Sequence, residues 1–190
     1  MKTITINTYS FDELSQSAQE KALIYFRQNM YFDYDLIIED TTNVADLFGL
    51  CINQKHIYWD LDHGGFLTFD GQYTYKKGGL KAVETEHPTD TKLHNIVARL
   101  TNLQKRYFYG IRAECYTSGR NSMTQRVSVD HRDSIDISKI EDDITECLMD
   151  FGYWILRQLR DEYEYQCSYE YLKEMAEANT YTFDEKGNLI

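Results

Sequence analysis

Residues 138–165 read S-K-I-E-D-D-I-T-E-C-L-M-D-F-G-Y-W-I-L-R-Q-L-R-D-E-Y-E-Y. Apolar side chains fall at Ile140, Ile144, Cys147/Leu148, Phe151, Trp154/Ile155, Leu159 and Tyr163. That is the 3.6-residue stripe of an amphipathic helix, sustained over the whole stretch. Ser138 and Glu141 have capping-box spacing. Acids crowd the first turns, where the helix dipole is positive, and Arg157 and Arg160 lie toward the other end. At 1.5 Å per residue such a helix runs about 40 Å. One face is expected to floor the core and the other to carry acids.

Outward from this helix, the chain alternates helical stripes with hairpin-like runs. Lys2–Tyr9 alternates Ile with Thr and Asn and predicts a strand. Ser10 with Glu13 predicts a second capping box, opening a helix with Leu14, Ala18, Ala22 and Tyr25/Phe26 inward and an end at Asn29 and Met30. A helix is expected over Asp33–Phe48, with Leu36/Ile37, Asp40, Val44 and Leu47/Phe48 inward and Gly49 as its left-handed stop. Cys51–Asp62 and Gly65–Tyr75 predict a hairpin around Asp62-His63-Gly64-Gly65, and Leu80–Val83 a short strand. Thr89 or Asp90 caps a helix with Leu93, Ile96/Val97, Leu100 and Leu103/Gln104 inward. Tyr107–Tyr116 and Thr124–His131 predict a second hairpin, Ser168–Ala178 a last helix, and the tail a small hairpin about Lys186-Gly187. Helices and hairpins are segregated. The expected fold is therefore α+β: an antiparallel sheet built from hairpins, with helices packed on one face and a long C-terminal amphipathic helix. No linker stands out, so residues 1–190 are expected to form a single domain.

The 190 residues are 42 % hydrophobic and include sixteen Tyr and one Pro, which argues for a packed core and against disorder. Cys51, Cys115, Cys147 and Cys167 form no C-x-x-C pair and are expected as reduced thiols of a cytosolic protein. No signal-peptide pattern or membrane-length apolar run is present, so a cytoplasmic protein without membrane contact is expected. The net charge of −11 is unevenly spread: −7 over residues 1–75, +6 over 76–132 and −10 over 133–190. Such a chain can fold its middle against its ends and partly neutralise them. Its overall field opposes nucleic acid.

Asp60-Leu61-Asp62-His63 and Asp130-His131-Arg132-Asp133 are the candidate clusters for a divalent metal, and a metal-dependent enzyme using Asp60, Asp62, His63 and His131 is the alternative they leave open, but turn chemistry accounts for them more simply. No nucleophile elbow, Cys–His pairing or phosphate loop is found. The reading is therefore a non-enzyme with no catalytic residue, metal or cofactor. Lys76, Lys77, Lys81, Arg99, Lys105, Arg106, Arg112, Arg120 and Arg126 interleave with Tyr73, Tyr75, Tyr107, Phe108, Tyr109 and Tyr116. That mixture could stack bases, yet cations balancing acids within the fold explain it more simply. The site that remains is an acidic and aromatic face on the long helix, comprising Glu141, Asp142, Asp143, Glu146, Asp150 and Tyr153. Tyr among acids suits a basic protein partner, and carboxylates can stand where DNA phosphates would.

Three segments carry a resemblance: M-K-T-I-T-I-N-T-Y-S-F-D-E-L-S-Q-S-A-Q-E-K-A, G-Q-Y-T-Y-K-K-G-G-L-K-A and D-F-G-Y-W-I-L-R-Q-L-R-D-E-Y-E-Y. They resemble small phage and prophage proteins often labelled antitoxins of a toxin–antitoxin stability system. Length and acidity are also similar to those of a type I-C anti-CRISPR protein. The resemblance implies a stoichiometric inhibitor of a type I CRISPR surveillance complex or its helicase-nuclease, and alternatively an antitoxin that neutralises a toxin protein. It supplies no catalytic residues, and a homodimer is compatible with it.

Overall fold

The computed structural model describes residues 7–62, 64–119 and 123–190. The fold is α+β. Packing divides the chain into two compact units, Tyr34–Arg160 and Met1–Asp33 with Asp161–Ile190. Each has its own hydrophobic cluster.

In the larger unit, α2 spans Asp35–Phe48 and stops at Gly49, whose φ of 94° is the left-handed conformation expected there. Its buried side is Ile38, Thr41, Thr42, Val44, Ala45 and Phe48. Two expectations fail on this helix: Leu36 is 79 % exposed and Asp40 points to solvent. The stripe is set one residue later, by the short side chains of Thr41, Thr42 and Ala45, which let α2 sit close to its neighbours. β1 (Leu50–Asp60) and β2 (Phe66–Thr74) follow, then α3 (Gly79–Glu86) and α4 (Thr91–Arg106). The predicted strand at Leu80–Val83 is thus a helix. The Leu80-to-Val83 spacing is one turn, and Lys81, Ala82 and Glu84 are helix formers. α4 behaves as predicted. Asp90 caps it through the Leu93 amide at 2.9 Å, and all six predicted stripe residues are buried.

β3 (Ile111–Ser118) begins four residues later than expected, because Tyr107–Gly110 forms a turn in which Phe108 and Tyr109 have φ of 53° and 59°. The buried Gln104 closes this turn: its carboxamide donates to the Ile111 carbonyl at 2.8 Å and accepts the Ile111 amide at 3.2 Å. β4 is Thr124–His131, as predicted.

The four strands form an antiparallel meander in the order β1-β2-β3-β4. Ile111, Ala113 and Cys115 face the helices, while Arg112, Glu114 and Tyr116 face out. The β1–β2 register jumps between Ile52 and Ile57, leaving Asn53–His56 as a bulge opposite Asp70. There His56 bonds Asp70 at 2.8 Å. β2 pairs with β3 over Gly71–Thr74 only. Beyond that point side chains replace the ladder. Gln125 accepts the Phe69 amide at 2.8 Å and donates to its carbonyl at 3.0 Å, and Asp70 accepts the Thr117 amide at 2.8 Å.

α5 spans Glu141–Gln166, 26 residues, about 39 Å at 1.5 Å per residue. Ile140, Ile144, Cys147, Leu148, Phe151, Trp154, Ile155 and Leu159 lie in the core as predicted. The Ser138 box does not start it. The Ser138 amide turns back to the Asp136 carboxylate at 2.9 Å and, with the Ser138 hydroxyl, holds that carboxyl below its ordinary range. Asp136 lies closer in sequence than Glu141 and captures the serine first.

In the smaller unit, Ser10 donates its amide (2.8 Å) and hydroxyl (2.9 Å) to Glu13, but this box holds only a 3₁₀ turn, Phe11–Glu13. Ser15 caps α1 proper, Gln16–Asn29. Ser168 caps α6, Tyr169–Ala178. Phe11, Leu14, Ala18, Ala22, Phe26, Leu172, Ala176 and Phe183 form its core. The tail makes isolated bridges, Tyr9 with Phe183 and Phe183 with Leu189, rather than a hairpin of strands. Most of the predicted first strand, Lys2–Tyr9, lies outside the described residues.

Candidate functional site

The outward face of α5 and the neighbouring face of α4 enclose an open groove of about 490 Å³, lined by Lys92, Asn95, Ile96 and Arg99 of α4 and by Asp150, Tyr153, Trp154, Arg157 and Arg160 of α5. The buried stripe of α4 pins its other side, where Lys92, Asn95 and Arg99 recur at helical spacing. On α5, residues advance 100° each, so Asp143, Glu146, Asp150, Tyr153, Arg157 and Arg160 form one ridge. Its charge runs from acid to base, in the sense the helix dipole favours.

The two helices are joined across this groove by polar contacts. Asp90, the cap of α4, accepts the Trp154 Nε1–H at 2.6 Å and lies 3.6 Å from Arg157. Burial pushes the Asp90 carboxyl up, but the Trp154 N–H, the Leu93 amide and Arg157 outweigh it and hold it below its ordinary range. Arg99 forks between Asp150 (2.7 Å) and Glu146 (2.8 Å). All three are partly exposed, so the pairs are worth roughly 0–1 kcal/mol. They still decide the surface charge. A cation from the basic middle pairs with two acids of the C-terminal third and offsets one of their two charges, part of the internal balance the charge distribution allows. Arg160 donates to the Gly64 carbonyl at 2.7 Å.

Of the six predicted site residues, Asp142, Asp143, Glu146, Asp150 and Tyr153 share one side of α5. Glu141 is exposed in the first turn but points about half a revolution from Asp150. Glu146 and Asp150 are committed to Arg99, so the acids left to a partner on this ridge are Asp142 and Asp143. Tyr153 is 61 % exposed. It borders both the groove and a second cavity of about 200 Å³, whose lining includes Phe66, Phe69, Gln125, Met149 and Gly152.

The metal candidates are not assembled. Asp60 ends edge strand β1 at the Phe66 end of the sheet, whereas His131 ends the opposite edge strand beside Ile111. These are diagonal corners. Asp60 accepts the Asp62 amide at 2.8 Å, a turn contact. His131 is buried, with one ring nitrogen on the Tyr107 carbonyl (2.9 Å) and the other on the Asp133 amide (3.1 Å). His63 lies outside the described residues. Among the described residues no three His, Cys, Asp or Glu converge as metal ligands.

The basic and aromatic mixture is dispersed. Tyr73 is buried, Tyr75 packs on Tyr109 at 4.4 Å, Lys76 binds the Asp46 carbonyl and Arg112 pairs with Asp130. Arg120 lies outside the described residues. The groove cations Lys92, Arg157 and Arg160, and the Asp90–Trp154 bond, were missed by motif reading. The 92–95–99 spacing opposite the apolar stripe of α4 was the available signal. No helix of the described residues is long and apolar enough to cross a membrane.

Residues 34–169 match the family DUF8835, described as a domain of unknown function, and the chain belongs to that family. The match begins where the larger unit begins, at residue 34. No curated protein and no solved structure matches the chain significantly.

Proposed function

From a family that carries no assigned activity, we propose that the chain is a stoichiometric inhibitor of a bacterial defence system, acting in the host cytoplasm on a subunit or the helicase-nuclease of a type I CRISPR complex. The choice of target rests on the likeness of length and acidity to a type I-C anti-CRISPR protein, and the three quoted segments support only the resemblance to small phage proteins. The observation that carries binding is the α5 ridge, where Tyr153 stands 61 % exposed and Asp142 and Asp143 lie about 15 Å nearer the N-terminus on the same side of a helix whose other side is core. A rigid, exposed tyrosine is a typical energetic anchor, and rim carboxylates steer a basic partner.

The test is retention of the complex by the immobilised protein. Tyr153→Ala is expected to weaken binding tenfold or more, about 1.4 kcal/mol. Asp142→Lys with Asp143→Lys is expected to slow association, with an effect that fades as salt rises. Glu146 and Asp150 are left in place because they hold Arg99. Unchanged retention by both variants, with folding intact, would refute this use of the ridge.

A further inference from the structure

β4 is an edge strand whose sequence is complementary to itself. Residues 126–130 read Arg-Val-Ser-Val-Asp, symmetric about Ser128 except that a cation stands at one end and an anion at the other. Pairing two such strands antiparallel about Ser128 sets Arg126 against Asp130 of the second copy, twice, and Val127 against Val129, twice.

The ladder phase admits this register. The Arg132 amide donates to the Gly110 carbonyl at 3.0 Å, so Gly110 and Arg132 are a hydrogen-bonded pair. Continuing the observed register, Arg112–Asp130, Glu114–Ser128 and Tyr116–Arg126 are hydrogen-bonded pairs as well. The backbone groups of Gln125, Val127, Val129 and His131 therefore point away from β3, and among the described residues no strand pairs with β4 on that side. In the self-paired register odd residues meet odd residues: Val127 with Val129, Gln125 with His131. The two Val127–Val129 rungs each form two N–H···O bonds, and at the Gln125–His131 rungs the His131 carbonyl is shared with the Ser134 amide, which it accepts at 2.9 Å. Arg126 and Asp130 then meet in a non-hydrogen-bonded site, where strands lie closest, about 4.5 Å between Cα atoms. Both lie on the exposed sheet face. Asp130 already accepts Arg112 at 2.8 Å through one oxygen, and an ionised carboxylate can take a second cation.

The two edges of the sheet are treated differently. β1 carries the Asn53–His56 bulge, which breaks its ladder and places Lys55 at the interruption. That is a usual protection against edge pairing. β4 pairs with β3 in unbroken register from Thr124 to His131, without proline, and no Lys, Arg, Asp or Glu occupies its inward-facing positions Gln125, Val127 and Val129.

We propose that two copies of this chain dimerise through β4, joining two four-stranded sheets into one of eight across a two-fold axis at Ser128. Sedimentation of the full chain is expected to give the mass of a dimer. Val127→Pro removes an outward N–H, which an edge strand tolerates on its free side, and exchanges a core-packed valine for an apolar ring of similar size; it should halve the apparent mass with the circular dichroism spectrum retained. Arg126→Asp should do the same by facing Asp130 of the second copy, and adding Asp130→Arg should restore the dimer. In a Cys51→Ser, Cys167→Ser background, Ser128→Cys should cross-link on mild oxidation, since the facing Cα spacing suits a disulfide. A monomeric wild type, a dimer that survives Val127→Pro, or a dimer whose Ser128→Cys form resists cross-linking each overturns the proposal.

Discussion

Asp90→Ala is expected to be among the most costly single changes at the groove. One carboxylate performs two separate tasks. Its Oδ1 caps α4 through the Leu93 amide at 2.9 Å, and its Oδ2 accepts Trp154 Nε1–H at 2.6 Å. Losing a cap costs about 1 kcal/mol. Trp154 is 4 % exposed, and stranding its buried N–H adds about 1–3 kcal/mol. Arg157, 3.6 Å away and partly exposed, adds at most about 1 kcal/mol. The expected loss is therefore about 3 kcal/mol. Asp90→Asn keeps an oxygen for the cap but turns an N–H toward Trp154 and removes the charge facing Arg157, so it should lose the second and third contributions and keep the first. Urea denaturation measures both, and a double-mutant cycle with Trp154→Phe isolates the side-chain bond.

The pH dependence has a definite sign. A carboxyl held below its ordinary value of 3.8 stabilises the fold above that value, and the contribution is lost as pH falls through the folded-state pKa. The gap between wild type and Asp90→Asn should therefore be full at neutral pH and narrow in acid. A loss below about 1 kcal/mol for Asp90→Ala, or no coupling between Asp90 and Trp154, would refute this account of how α4 and α5 are held.

Three further outcomes follow from buried contacts. Gln104→Ala strands the Ile111 amide and carbonyl and should cost about 3 kcal/mol by denaturant titration, and Gln104→Glu, which sets a buried carboxylate oxygen against the Ile111 carbonyl, should cost at least as much at neutral pH. Gly79→Ala would place a methyl 2.7 Å from Phe48 Cα and 2.8 Å from the Leu47 carbonyl, so α2 and α3 must separate; a melting-point loss equivalent to about 1–3 kcal/mol is expected. Burial pushes the Cys115 thiol to about 12 and the Cys147 thiol to about 11. Near pH 8 a thiol reagent should therefore label exposed Cys51 first and reach Cys115 and Cys147 only on unfolding, as mass spectrometry would record.

What was legible in the sequence tracks how local the deciding forces are. The stripes of α4 and α5 are long, and their periodicity exceeds any competing local preference, so both cores were read almost residue for residue. α3 was misread because a window of four residues, Leu80–Val83, does not separate a one-turn repeat from a strand. The Ser138 box failed to a nearer carboxylate, Asp136, and the Ser10 box formed yet held only one turn. The acidic face was found, but its charge was overcounted. That Arg99 would reach Glu146 and Asp150 depends on α4 lying beside α5, and nothing in either helix alone encodes that. Trp154 was correctly placed in the core while its indole N–H, and the acid it needs, went unnoticed.

The way Gln125 and Asp70 stand in for missing ladder bonds has a consequence for how the sheet breathes. Along that seam the amides of Phe69 and Thr117 are each held by one side chain, not by a cooperative row of neighbours. A rotamer hop of Gln125 or Asp70 is enough to bare them, whereas baring Ala113 requires parting β3 from β2 over Gly71–Thr74. Between the inner strands β2 and β3, deuterium should therefore enter first at that corner, beside the cavity that Tyr153 borders, before the paired stretch Gly71–Thr74 yields.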